Sequence, residues 1–161
     1  MRTTRMLATV LIAASLAPGS DDAKETKVEY EVHSGYFEKN NSGLKGDQSF
    51  LALTDRKAFD SIFGVGFVMG KKPKTVPENA FNTKLVVATI KRGGDLWTYK
   101  VDKVTADKGT LTVHYDATGK DGGGAKFASP LILSVGKGKY KNVVFVEGGN
   151  EVGKAEIRDK K

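Results

Sequence analysis

Cysteine is absent from the chain, tryptophan occurs once, histidine twice and proline four times. Without cysteine there are no disulfides, thiolate zinc sites, iron–sulfur clusters or cysteine nucleophiles. His33 and His114 are too few for a multi-histidine metal cage. Each alternates with apolar neighbours, so each is expected to point outward from a strand, and no Gly-x-Ser-x-Gly elbow accompanies either. No pair of carboxylates stands out for glycosidase chemistry. Arginine is scarce as well: of 26 basic residues only Arg2, Arg5, Arg56, Arg92 and Arg158 are arginines. Readers of bases and phosphates favour the planar guanidinium fork, so the net charge of +7 describes a cationic, lysine-coated surface and not a nucleic-acid interface. The longest apolar stretch near the start, Met6 to Leu16, falls well short of the ~20 residues that a membrane-crossing helix needs.

That stretch has a different meaning. Arg2 and Arg5 precede it, and small residues follow at Ser15 and Ala17, the three-part pattern of a secretory signal peptide. Pro18 directly after Ser15-Leu16-Ala17 leaves the cleavage point open between 17 and 23. Residues 1–23 are therefore read as leader and short polar spacer, and 24–161 as one domain of ordinary size. The mature chain is expected in the periplasm or outside the cell, without a membrane span once the leader is cut.

Within the domain the dominant period is two. Val28, Tyr30 and Val32 alternate with Glu29, Glu31 and His33, and a short strand can lie around Tyr36-Phe37. Ser49–Leu53 is also strand-like. One helix is expected over Asp55–Phe63, with Thr54 as N-cap, Asp55 in the first turn, Gly64 as left-handed stop, and Ala58, Phe59, Ile62 and Phe63 on one greasy face. The long connection to Phe81 allows a short extended piece at Phe67-Val68-Met69. Leu85–Ile90 is nearly continuous in apolar residues, as for a central strand covered on both faces. Leu96–Val104, Leu111–Tyr115, Leu131–Val135 and Val143–Val146 read as further strands, and Gly148-Gly149-Asn150 as a hairpin turn into a last one. The segment Asp116–Ala125 reads as a flexible loop; its calcium-loop look fails because Lys120 and Phe127 stand where acceptors are needed. The expected fold is mainly β: a single antiparallel curled sheet, sandwich or open barrel, with one short α-helix packed on it.

Two places could bind something. Trp97 and Tyr99 share one face of their strand; covered, they are core, and exposed they are an aromatic anchor beside Lys91, Arg92 and Lys100. Lys71, Lys72 and Lys74 cluster in a Pro-containing loop that could touch an acidic partner. The stretch from Phe50 to Val146 resembles the PrcB-like C-terminal domain family. The residues that carry the likeness are Phe50-Leu51-Ala52-Leu53-Thr54-Asp55-Arg56-Lys57-Ala58-Phe59, Phe81-Asn82-Thr83-Lys84-Leu85-Val86-Val87-Ala88, Tyr99-Lys100-Val101-Asp102-Lys103-Val104 and Ser129-Pro130-Leu131-Ile132-Leu133-Ser134-Val135. The resemblance implies an exported accessory domain, the family being named after a subunit that stabilises a secreted protease complex, and it transfers no site residues. The functional expectation is a non-enzymatic binding domain without cofactor whose partner is another exported protein, a protease being one instance. The alternative is a carrier of a small apolar or aromatic ligand in a barrel cavity lined by residues such as Phe67, Trp97 and Phe127.

Overall fold

The computed structural model describes residues 25–66, 70 and 72–158; the leader, the piece at 67–69 and Lys71 lie outside them. The elements are β1 (Thr26–Lys27), β2 (Tyr30–His33), β3 (Tyr36–Glu38), β4 (Gln48–Leu53), α1 (Arg56–Ile62), β5 (Phe63–Val65), a 3-10 turn (Ala80–Asn82), β6 (Lys84–Gly93), β7 (Asp95–Asp107), β8 (Thr110–Asp121), β9 (Phe127–Gly136), β10 (Asn142–Glu147) and β11 (Asn150–Glu156). Among the described residues no helix is long and apolar enough to cross a membrane.

The chain is mainly β, but the expected single sheet is replaced by several. A five-stranded sheet runs β1-β7-β8-β10-β11, a four-stranded sheet runs β2-β9-β6-β4, and β3 and β5 form a separate ribbon. Neither large sheet closes on itself. Nor is the pairing wholly antiparallel, since β8 and β10 run parallel from Thr110↔Asn142 to Tyr115↔Glu147. The division follows from β6. Val86, Ala88 and Ile90 point to one side, Leu85 and Val87 to the other, and all are buried. A strand apolar on both faces needs two covers. The five-stranded sheet supplies one, setting Val104, Leu111, Val113, Tyr115, Val143 and Phe145 against Leu85, Val87, Leu131, Leu133 and Val135. The helix and ribbon supply the other, setting Phe59, Ile62 and Phe63 against Val86, Ala88, Ile90 and Ile132. Each large side chain fully buried in this way contributes about 1.5–3 kcal/mol before entropy is subtracted. The space between the two large sheets is thus filled by side chains.

Three local expectations need correction. Asp55, not Thr54, caps α1: its carboxylate accepts from the Ala58 N–H at 2.8 Å, while the Thr54 hydroxyl donates to the Arg158 carbonyl at 3.1 Å. An ionised cap also opposes the helix dipole favourably. Gly64 does not stop the helix in a left-handed turn. Phe63 is already extended, and pairing of β5 with β3 takes the chain out of the helix. Gly64 has another use: a Cβ there would stand 2.4 Å from the Phe37 ring. Finally, the polar stretch after Tyr115 is no flexible loop. It stays in strand β8 to Asp121 because β7 pairs with it throughout, from Lys100↔Asp116 to Asp95↔Asp121. The hairpin is as expected: Gly148 and Gly149, with φ of 56° and 85°, form the two-residue connection between the paired Glu147 and Asn150.

Candidate functional site

Trp97 and Tyr99 do share a face of β7, and both are half-buried. The Lys91 ammonium sits 4.0 Å above the Trp97 ring, a cation–π contact. The backbone N–H of Trp97 donates to the Ser129 hydroxyl at 3.1 Å, and the Tyr99 hydroxyl donates to the Ser129 carbonyl at 2.6 Å. Burial pushes the Tyr99 phenol above its ordinary value. Together these contacts fasten β7 to β9 where the two large sheets meet at the β6–β7 corner. Lys72 and Lys74 are exposed; the backbone around Lys74 is tied to Ser34 by paired hydrogen bonds of 2.9 and 3.1 Å. Lys71 lies outside the described residues. The structure therefore does not bring the two sequence-level candidates together.

His33 is not outward: it is only 5% exposed. It pairs across the ladder with Ile132 and shares its face with Ser134, the face that α1 and the ribbon cover. Its Nε2 is 2.8 Å from the Ser134 hydroxyl, and burial lowers its pKa. His114 does lie on the outer side of its sheet, with Nε2 3.7 Å from Glu25. A hydroxyl bond from Thr105, with Lys103 close by, holds the Glu25 carboxyl below the usual range. Among the described residues no group of three or more metal-ligating side chains stands together.

Two ion pairs were invisible in the sequence. Lys91 on β6 bonds Glu147 on β10 and so links the two large sheets. Beside it, Gln48 donates to the Thr89 hydroxyl at 3.1 Å. The second pair, Arg92 with Glu38, ties β6 to the ribbon. Arg92 Nε and Nη2 reach Glu38 Oε2 and Oε1 at 2.7 and 2.8 Å, and Nη1 donates to the Gly46 carbonyl and the Ser49 hydroxyl, both at 3.0 Å. Only a guanidinium can serve so many acceptors in one plane. Burial would raise the Glu38 pKa, but the Arg92 fork and a hydroxyl bond from Ser42 outweigh it and lower it.

Over this pair opens a surface groove of about 510 Å³. Gly93 and Ala128 line it with little bulk, Phe37 and Phe127 line it as aromatic side chains, and the exposed Asn40 and Lys126 complete the lining. Phe37 is 48% exposed, high for an aromatic ring. Beneath it the ribbon is firmly held: Tyr36 packs edge-on to Phe59 at 5.1 Å, and its hydroxyl accepts from the Val76 N–H at 2.9 Å. The one sequence signal for this site was the adjacent pair Tyr36-Phe37 in a short strand, where alternation forces one ring outward. An open groove with aromatic walls and one cationic lip can hold an apolar side chain beside a polar or anionic group. No family model, curated protein or solved structure matches this chain.

Proposed function

We propose that this chain is an exported, non-enzymatic accessory domain that binds another protein through the Phe37 groove. The observation that carries this is the ring of Phe37, nearly half exposed on a ribbon that is rigidly anchored from below. An apolar anchor already fixed in place loses little entropy on docking, which is the usual character of an interface hot spot. The polar groups around it favour binding over bond-making, because Arg92 and Glu38 satisfy each other. A protease is the partner that the resemblance to the PrcB-like family suggests, and the leader-like pattern of residues 1–23 supports an encounter in the envelope or outside the cell. The test is affinity capture from the native envelope fraction with the full chain and with Phe37→Ser. The proposal expects a partner retained by the wild type and lost by the variant; equal recovery by both, or recovery of none, contradicts it.

A further inference from the structure

We infer that the groove takes an extended peptide segment in which an apolar or aromatic side chain stands next to a carboxylate, an acidic-aromatic segment of the partner. This rests on the binding role proposed above and specifies its ligand. Charge decides the occupant. Of the ionised side chains that line the groove, Arg92 and Glu38 neutralise each other through two short bonds, and Glu38 is 8% exposed. Lys126 is exposed and holds no ion pair among the described residues, so the groove presents one uncompensated positive charge. Shape decides the rest. Gly93 and Ala128 add little bulk to the lining, which leaves room for a backbone, while Phe37 and Phe127 offer aromatic surface to a side chain of the bound chain. The Phe37 ring lies against Gly64, where any Cβ would meet its far end at 2.4 Å and displace it; glycine there preserves the ring's position.

The test is an amide NMR titration of the ¹⁵N-labelled full chain with acetyl-Ala-Phe-Asp-Ala-amide and its Asn and Lys counterparts. The amides of Phe37, Gly93, Lys126 and Phe127 are expected to shift. The Asp peptide should bind about threefold more tightly than the Asn peptide, the scale of an exposed ion pair, and Lys126→Gln should erase that preference. Phe37→Ala should abolish the shifts, and Gly64→Ala, which keeps the phenylalanine but moves it, should weaken binding while the remaining amide spectrum stays folded. Equal affinity for the Asp, Asn and Lys peptides overturns the inference. So do shifts elsewhere on the surface, or concentration-dependent shifts of the same amides without peptide, which would mean that a second copy fills the groove. If peptides show no preference while Phe37-dependent capture persists, the acidic-aromatic ligand is wrong and the binding role stands.

Discussion

Glu38 shows how much one buried carboxylate can organise. It accepts from Arg92 twice and from Ser42 once, and through Arg92 it joins ribbon, β6 and the loop at Gly46. Glu38→Gln leaves a guanidinium half-buried without its counter-charge, and a loss of about 2–3 kcal/mol is expected in urea unfolding; a change below about 0.5 kcal/mol would mean that the pair is ornamental. His33 makes the fold acid-sensitive earlier. Burial holds its imidazole below its ordinary value in the folded chain, so as pH falls through about 6.5 the unfolded chain takes up a proton that the folded one refuses. Stability should drop by up to about 1.4 kcal/mol per pH unit until the lowered folded pKa is reached. Glu38 acts further down: its contribution is present above the unfolded value of 4.5 and is lost as pH falls through the lower folded one. His33→Gln, which can still bond Ser134, should flatten the pH dependence that sets in below about 6.5 and leave the carboxylate phase at lower pH; an unchanged slope just below that pH would contradict this. Alternation could not reveal His33, because it separates the two faces of a strand without saying whether the second face is also covered.

Among elements, the clearest consequence concerns α1. Seven residues cannot sustain a helix alone, so its cap and its packing carry it. Asp55→Ala should cost about 1 kcal/mol and Thr54→Ala markedly less, measured by thermal unfolding; the reverse ranking would restore Thr54 as the cap. At the inter-sheet pin, Lys91→Met alone leaves Glu147 half-buried without its counter-charge and should cost about 2–3 kcal/mol, whereas adding Glu147→Leu should recover most of it. Costs that simply add would show that the pair does not act as a unit. The elements were unevenly legible. The apolar run of β6 and the Gly148-Gly149 hairpin stand out in the sequence because local chemistry dictates them. The polar half of β8, the parallel β8–β10 pairing and the division into two large sheets do not, because each is imposed by a partner distant in the chain. The groove was hidden for the same reason, drawing Phe37 from β3, Arg92 from β6 and Lys126 from the connection before β9.

At the scale of the molecule, β6 contributes to both cores at once, Val86 to one and Val87 to the other, so the two layers should unfold as one cooperative unit. Phe59→Ala and Phe145→Ala lie in different cores, yet each should lower the same single transition by about 3–5 kcal/mol, with far-ultraviolet signal and Trp97 fluorescence coinciding; separate transitions would show the layers to be independent. A two-core body of this kind is a platform, and among its described residues Phe37 is the aromatic ring it leaves exposed. The most direct measurement is site-specific photo-crosslinking in the native envelope, with a photoreactive residue at Asn40 on the groove rim and, for comparison, at the exposed Val152 on β11. A protein adduct formed from position 40 alone, and lost when Phe37→Ala is added, is the predicted result. No adduct at 40, or equal adducts at 40 and 152 that ignore Phe37, would contradict the account.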